Sequence, residues 1–202
     1  MNGLTRKEQT RERVLKIAAR QFRQSGYAGV SLRSIAEEAG IKAGSLYYHF
    51  DSKEDLVTAV LDRGIEVVCD AVRESINALP SDANAARLLG TGIREHLRTF
   101  HAHDDFTSAN VRIFGQVPES VRSANLAKRK QYDDLWNQLL QRSMRNSGLR
   151  KSLDLDATRL LLLGALNATL EWFDPKRGSI DDLAGKYTDI VLNGVLAQRS
   201  MS

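Results

Sequence analysis

The sequence has little of what secreted and membrane proteins rely on. It contains a single cysteine, Cys69, and so cannot form an intramolecular disulfide, which excludes a disulfide-rich secreted scaffold. Its longest apolar stretch, residues 160–166, is followed by Asn167 and Glu171 and is too short to span a bilayer. The first residues do not combine positive charge with an apolar core, as a signal peptide does. We therefore expect a cytoplasmic protein that does not enter a membrane.

Proline is scarce and strand patterns are missing. Only Pro80, Pro118 and Pro175 interrupt long segments rich in Leu, Ala, Arg, Glu and Gln, which favour helices. No run alternates apolar and polar residues with β-branched enrichment, so nothing favours a strand. At 202 residues the chain is long enough to bury a proper core. The sequence predicts an all-α protein of about nine helices.

Apolar spacing and capping residues predict where these helices lie. The first is expected at about 5–25, with one buried stripe formed by Val14, Ile17, Ala18 and Phe22. A long helix should run from Ser52, as its N-cap, to Pro80, with Asp55 returning a bond in a capping box. Later helices are expected at about 83–100, 106–114, 118–148, 156–173 and 180–198.

Positive charge is concentrated at the start of the chain. Residues 1–50 carry nine basic and four acidic side chains, a net charge of +5, whereas the whole chain carries +4, so residues 51–202 sum to −1. An excess of this kind favours binding to phosphates through release of counterions. A basic surface that is merely solvated would show the same excess of charge. The sequence motif within this segment is therefore needed to distinguish it from a DNA-binding surface.

That motif is VSLRSIAEEAGIKAGSLYYHFDSKEDL, residues 30–56, which is typical of two short helices joined by a tight turn. Ser31 is a suitable N-cap for the first helix, and Gly40 can adopt the positive φ that ends it. The second helix is expected at 42–48, with Leu46 and Phe50 facing inward. Its outward residues include Gly, Ser and Tyr, which suit contacts with phosphates and base edges better than they suit a merely soluble surface.

The stretch IAEEAGIKAGSLYYHFDSKEDL closely resembles the DNA-binding segment of TetR-type transcriptional regulators. The resemblance implies a three-helix helix-turn-helix domain at 1–51, and a helical ligand-binding and dimerisation domain at 52–202. It also implies a homodimer that binds a palindromic operator in double-stranded DNA and is released by a small lipophilic effector, in most cases as a repressor. The DNA-binding residues it implies are Ser31, Arg33, Lys42, Ala43, Gly44, Ser45, Tyr47, Tyr48, His49 and Lys53.

Individual roles follow from this placement. Lys42 would bond guanine O6 or N7 in the major groove, with Ala43, Gly44 and Ser45 at the groove floor. The two tyrosines, His49 and Lys53 would grip phosphates, and Ser31 and Arg33 would touch the backbone or one flanking base. Two alternatives stay open, because Tyr47 could pack against the first helix and His49 could bond locally.

The last two predicted helices, at 156–173 and 180–198, are apolar on most of their faces. Such a helix must be covered on nearly all sides. TetR-like proteins pair these helices with their copies in a four-helix bundle, so we expect a two-fold dimer here. The alternative is that both helices simply form the core of one subunit.

An effector site is expected among the middle helices. Its candidate residues are Phe106, Arg112, Phe114, Trp136, Leu163, Asn167 and Trp172, although aromatic residues at helical spacing are often plain core. The segment LEWFDPKRGSI is similar to a W-[FY]-x-P-x-G segment in TetR-type regulators that respond to acyl-CoA thioesters, or else it only shapes the bend between two helices. For such a ligand, phosphates could be neutralised by Arg112, Arg122, Lys128, Arg129 or Lys130, or the last three could form a solvated face.

Other chemistry is weakly indicated. His96, His101, His103, Asp104 and Asp105 lack the spacing of a helical metal site, so a polar loop is preferred and no metal or cofactor is expected. Cys69 is expected to be a small buried apolar residue. No nucleophile or phosphate-loop signature favours an enzyme, and the rival hypothesis is an all-α enzyme or small-molecule-binding protein that retains a helix-turn-helix segment. Loss of DNA affinity with rising salt would separate the two.

Overall fold

The structure is a computed structural model, and it describes residues 5–102, 105–147 and 152–195. Within those ranges it contains α-helices and short 3₁₀ turns but no strand, as predicted. The helices are α1 (Arg6–Ser25), α2 (Leu32–Glu38), α3 (Ala43–Leu46), α4 (Lys53–Asn77), α5 (Ala85–His101), α6 (Asp105–Ile113), α7 (Glu119–Ser147), α8 (Leu155–Trp172) and α9 (Ile180–Val195).

Local capping explains most of these boundaries. Thr5 and Glu8 form a capping box at the start of α1, with the Thr5 amide donating to Glu8 Oε2 at 2.8 Å. Asn84 caps α5 by accepting from the Arg87 amide at 2.9 Å. The Ser52 hydroxyl accepts from the Asp55 amide at 3.0 Å, as predicted. The Asp55 carboxylate, however, accepts from the amide of Asp51 and not from that of Ser52. The predicted helix positions are confirmed to within a few residues, except that the predicted ends at residues 148 and 198 lie outside the described residues.

The second helix of the motif is shorter than the expected 42–48. It ends at Leu46, and the next turn is held by i to i+3 bonds, from Tyr48 N to Ser45 O at 3.3 Å and from His49 N to Leu46 O at 2.9 Å. Bonds of that kind tighten the backbone into a 3₁₀-type turn. The prediction of a helix through Tyr48 was therefore wrong at its carboxyl end.

The chain divides into two packed units. The first comprises Met1–Glu66 and Asp104–Arg129, and its core joins the buried stripe of α1 to residues of α2, α4 and α6. The second comprises Val67–His103 and Lys130–Ser202, and α5 contacts α8 and α9 within it. Cys69, in the second unit, is buried as expected. The functional division at residue 51 remains a prediction.

Helix α8 is apolar both where it is covered and where it is exposed. Leu162, Leu163 and Leu166 are buried in the second unit. On the other side, Leu161 is 77 % exposed and Leu160 is 63 % exposed. Five exposed apolar residues of α8 from position 160 onward are here called the apolar stripe: Leu160, Leu161, Ala165, Ala168 and Trp172. None of the helices in the described ranges is long and apolar enough to cross a membrane.

The histidines expected in a polar loop occupy other positions. His96 lies in the middle of α5 and is completely buried, and His101 is the last residue of that helix. Asp105 begins α6 and pairs with Arg23 at 2.8 Å. His96 thus lies in the helix predicted at about 83–100, and the preference for a polar loop does not hold for it, because the apolar face of α5 is turned inward. His103 and Asp104 lie outside the described residues, and the described part of the chain contains no group of three or more metal-ligating side chains.

Candidate nucleic-acid interface and buried polar cluster

The turn between α2 and α3 is built by local chemistry. Ser31 caps α2 by accepting from the Ser34 amide at 3.0 Å, as predicted. Gly40 ends the helix with φ +64°, a conformation that side chains disfavour. Ile41 then donates its amide to Ala36 O at 3.0 Å. These bonds fix the direction in which α3 leaves the turn.

Helix α3 has one buried face and one exposed face. Leu46 and Phe50 are buried in the core of the first unit, as the sequence predicted. Tyr48 is 84 % exposed and Tyr47 is 56 % exposed, so Tyr47 is not buried against α1. We call the exposed set the recognition surface; its residues are Lys42, Ala43, Gly44, Ser45, Tyr47 and Tyr48.

Gly44 has no internal reason to be glycine. A Cβ atom built there meets nothing within 4 Å, and its backbone lies outside the positive-φ region. By contrast, a Cβ at Gly92 would lie 2.7 Å from Leu139 Cδ2, and one at Gly64 would lie 2.6 Å from Phe106 O. Glycine in a helix costs about 1 kcal/mol relative to alanine. The subunit itself therefore leaves room for a side chain at position 44, and no internal contact explains the glycine.

The other predicted DNA-binding residues differ in their exposure and in their hydrogen bonds. Arg33 and Ser31 are exposed at the start of α2. His49 is half-buried, and its buried Nδ1 atom has no hydrogen-bond partner among the described residues. Lys53 donates to Tyr27 O at 2.6 Å and lies 4.1 Å from the Tyr27 ring centroid, and burial lowers its pKa. Because an ammonium group has three donors, this bond leaves Lys53 able to contact a phosphate as well.

One exposed cation beside the recognition surface escaped the sequence analysis. The Arg11 guanidinium lies 4.9 Å from the ring centroid of Phe50, two residues after Tyr48. Farther along α1, Arg20 pairs with Glu38 and Arg23 pairs with Asp105. Two cations in the carboxyl-terminal half of α1 are thus paired with carboxylates, whereas Arg11 is exposed beside Phe50. Only the fold could indicate this, since Arg11 and Phe50 are far apart in sequence.

Three predicted effector residues belong to the first unit. Phe106 is buried in its core, and Arg112 is exposed in the last turn of α6. Phe114 is half-buried, and the Arg129 guanidinium lies 3.4 Å from its ring centroid. Arg129 also donates to Asn110 Oδ1 at 2.7 Å. Four of the five cations considered for ligand phosphates already have polar partners, namely Glu119 for Arg122, Glu66 for Lys128, Asn110 for Arg129 and Asp134 for Lys130.

The other four predicted effector residues belong to the second unit. Trp136 is completely buried, and Leu163 is 9 % exposed. Asn167 is half-buried with a buried Oδ1 atom, while Trp172 is 54 % exposed. Trp136 and Asn167 both approach His96, which sequence reasoning did not place in the site. A histidine on an apolar helix face was the available signal.

These residues form what we call the buried polar cluster, which consists of His96, Tyr132, Trp136 and Asn167. His96 Nδ1 lies 2.6 Å from Tyr132 Oη, and the His96 and Trp136 ring centroids are 6.3 Å apart. Burial lowers the pKa of His96 to about 3, while a side-chain hydrogen bond with Asn167 acts in the opposite direction with a smaller effect. The imidazole is therefore neutral at ordinary pH. Burial likewise raises the pKa of Tyr132, so its hydroxyl keeps its proton.

The segment between α8 and α9 lines an open groove of about 300 Å³. Trp172 and Phe173 contribute aromatic rings, and their centroids are 6.3 Å apart. Arg177 and Lys186 bring two positive charges to the groove, which Asp174 and Asp182 balance with two negative ones. The groove therefore offers aromatic surface without a net charge that would select anions.

Comparison with known proteins identifies the family. Residues 14–60 match the family described as bacterial regulatory proteins, tetR family, and residues 82–195 match the family described as tetracyclin repressor-like, C-terminal domain. The second match alone covers more than half of the chain. The protein belongs to the TetR family of bacterial transcriptional regulators, and its fold is the TetR fold.

Similar proteins and solved structures match this chain over nearly its full length. The HTH-type transcriptional repressor KstR2 of Rhodococcus jostii is 28 % identical over 191 residues, 92 % of this chain and 90 % of that protein. AibR, solved in complex with isovaleryl coenzyme A and operator DNA, is 20 % identical with a TM-score of 0.75, over 91 % of this chain and 97 % of that one. FadR from Bacillus subtilis, solved in complex with stearoyl-CoA, is 18 % identical with a TM-score of 0.78, over 91 % of this chain and 98 % of that one.

Proposed function

We propose that this TetR-family regulator binds a palindromic operator as a homodimer, represses transcription, and is released by a lipophilic effector of the acyl-CoA class. The observation that carries the DNA-binding part is the recognition surface, where a glycine with no internal contact lies beside two exposed tyrosines. Such a regulator works in the cytoplasm, where bacterial DNA is found. No catalytic step is part of the proposal.

The dimer is supported by the apolar stripe on α8. Ile190 on α9 adds a further apolar side chain that is 65 % exposed. Contiguous exposed apolar surface of this kind marks an interface in soluble proteins. A second copy of the same helices supplies a self-complementary cover, which a two-fold axis requires. The dimer then presents two recognition surfaces to successive major grooves about 34–36 Å apart or more.

The effector class is supported by the two solved structures that hold acyl-CoA thioesters. A regulator of this kind responds when the ligand binds one arrangement of the DNA-binding domains better than the other. Phe106, Arg112 and Phe114, together with Trp136, Leu163, Asn167 and Trp172, remain the residues we propose for contact with this ligand. The α4 helix, which runs from the motif into the second unit, is the proposed carrier of the change.

Selection of bound DNA tests the proposal as a whole. Random duplexes retained by the full-length protein are sequenced after several rounds of binding. We expect one palindromic sequence to dominate, and we expect acyl-CoA thioesters to reduce its retention. Retention of DNA without any enriched sequence would refute the proposed operator, while an enriched palindrome that no thioester releases would refute only the effector class.

Base reading by Lys42 makes a separate prediction. Replacing Lys42 with alanine removes a donor that can bond guanine, so preference at one base pair in each half-site should fall by about tenfold. Tyr48→Ala serves as the comparison, because loss of a phosphate contact weakens binding to all sequences alike. Affinities for the operator and its single-base variants measure both effects. An unchanged base profile for Lys42→Ala would refute the base-reading role.

Arg11 provides a prediction about the DNA backbone. Arg11→Gln should weaken binding to specific and random duplexes alike, and should lower the slope of log affinity against log salt by about 1. Arg13→Gln makes the same charge change on the exposed opposite side of α1, since two residues turn a helix by about 200°. It should leave the salt slope unchanged. Equal slopes for both variants would show that Arg11 makes no phosphate contact.

A further inference from the structure

Two asparagine side chains are buried in the first unit, one on α6 and one on α7. Asn125 is completely buried, and Asn110 is 7 % exposed. Burying an amide is costly unless its donor and its acceptor both find partners. Each of these two amides has a partner for its nitrogen and a partner for its oxygen. Their positions are therefore set by the groups to which they are bonded.

The hydrogen bonds of the two asparagines form a closed path through three helices. Asn110 Nδ2 donates to Leu61 O on α4 at 2.6 Å, and Arg129 Nη2 on α7 donates to Asn110 Oδ1 at 2.7 Å. Arg129 Nε donates to Asn125 Oδ1 at 3.0 Å, and Asn125 Nδ2 donates to Asp62 Oδ1 on α4 at 2.6 Å. We call the four side chains the interhelical network; its residues are Asp62, Asn110, Asn125 and Arg129.

The helices approach each other closely beside this network. A Cβ atom at Gly64 would lie 2.6 Å from Phe106 O and 3.1 Å from Asn110 Cβ, so there is no room for a side chain between α4 and α6. Farther along α4, Glu66 pairs with Lys128 of α7 at 2.5 Å. Apolar packing has no preferred direction, whereas hydrogen bonds require a particular distance and angle. The network therefore fixes how the three helices are aligned.

The network lies at the positions where two helices leave the first unit. That unit ends at Glu66 on α4 and at Arg129 on α7, and both helices continue beyond these residues. The first unit also carries the recognition surface. A body that is held by two aligned helices bends and turns less easily than a body held by one, because rigid elements in fixed contact move together. The network thus restricts the orientations that the recognition surface can adopt.

We propose that the interhelical network determines how strictly the dimer selects the spacing between the two half-sites of its operator. This inference rests on the proposed palindromic operator and adds the residues that control its spacing. Each base pair inserted between the half-sites moves one of them by about 3.4 Å and turns it by about 35°. Two stiffly held recognition surfaces cannot both bind such DNA, whereas two loosely held surfaces can.

Operators that differ only in spacing test the inference on the full-length protein. The selected palindrome is shortened or lengthened at its centre by one or two base pairs, and fluorescence anisotropy gives the affinity for each duplex. The wild-type protein should lose at least about tenfold in affinity for a change of one base pair. Arg129→Met removes two hydrogen bonds of the network, so its loss should be about threefold or less.

Matched variants separate the hydrogen bonds from other effects of substitution. Asp62→Leu cannot accept the bond from Asn125, so it should tolerate changed spacing as Arg129→Met does. Asp62→Asn retains an acceptor for that bond and should keep the wild-type preference. Arg63→Met is the control for Arg129→Met, because Arg63 is exposed and its salt bridge is with Glu66 of the same helix. It should also keep the wild-type preference.

A duplex with a single half-site distinguishes orientation from a general loss of structure. Arg129→Met and Asp62→Leu should bind this duplex as the wild-type protein does, because neither substitution alters the recognition surface. Asp62 is half-buried, so Asp62→Leu keeps the test open if Arg129→Met does not fold. Loss of half-site binding in both variants would overturn the inference, since the network would then serve only to support the fold.

The outcomes distinguish this inference from the proposed function. A palindrome that the wild-type protein binds equally well at every spacing would overturn the inference and leave the operator intact. An unchanged spacing preference in Arg129→Met and Asp62→Leu would overturn it too, as would an equal loss of preference in Arg63→Met. Selection of no palindrome by the wild-type protein would refute the proposed operator and this inference with it.

Discussion

Replacing Gly44 with glutamate should abolish operator binding while leaving the fold intact. A side chain at this position meets open space within the subunit, so no internal clash opposes it. Outside the subunit, the new carboxylate would face the base edges and phosphates of the major groove. Unfavourable charge contacts in an interface cost several kcal/mol, so we expect affinity to fall by about 100-fold or more. Fluorescence anisotropy with labelled operator measures the loss.

The melting temperature completes that experiment. Because glycine disfavours helix by up to about 1 kcal/mol, Gly44→Glu should unfold at the same or a slightly higher temperature than the wild-type protein. Gly44→Ala is the matched control, with the same helix effect and neither charge nor bulk. Its affinity should fall much less than that of Gly44→Glu. Full operator binding by Gly44→Glu would mean that α3 does not enter the groove.

Replacing Leu161 with glutamate should separate the subunits. Leu161 is 77 % exposed, so the substitution disturbs no core packing within the chain. In the proposed dimer, it would bury a carboxylate against apolar residues, which is strongly unfavourable. A monomer binds only one half-site, and loss of two-site linkage lowers affinity by about 100-fold or more. Sedimentation and operator titration measure the two effects.

Leu126→Glu is the control for this experiment. Leu126 is also a leucine on a helix surface and is 58 % exposed. It lies on α7 in the first unit, whereas the apolar stripe belongs to the second unit. Exposed surface substitutions usually change stability by less than about 0.5 kcal/mol, so this variant should dimerise and bind as the wild-type protein does. A Leu161→Glu protein that still sediments as a dimer would refute the proposed interface.

The sequence predicted features whose causes are local. Ser31, Gly40 and Pro118 act on the backbone within a few residues, so helix starts and the turn before α3 were recoverable. The shorter α3 was missed because its last turn is set by i to i+3 bonds that compete with a regular helix. The alternation of Leu46 and Phe50 with exposed neighbours follows from helical spacing and was predicted correctly.

Features that join distant segments could not be predicted in the same way. The contact of Arg11 with Phe50 and the bond from Lys53 to Tyr27 O depend on how α1 packs against the motif. His96 was grouped with the polar residues His101 to Asp105 although it falls within the helix predicted at about 83–100, and the apolar face of α5 buries it. Its partners on α7 and α8 meet it only after folding, so the buried polar cluster had no signal in sequence order.

The most direct test of DNA recognition by paired subunits compares the selected palindrome with a duplex that carries one half-site. Stoichiometry and affinity are measured for both over a series of salt concentrations. We predict at least two subunits per palindrome, much weaker binding to the half-site, and a steep loss of affinity with salt, as about 6–10 phosphate contacts would give. One subunit per palindrome, or affinity independent of both salt and sequence, would contradict this account.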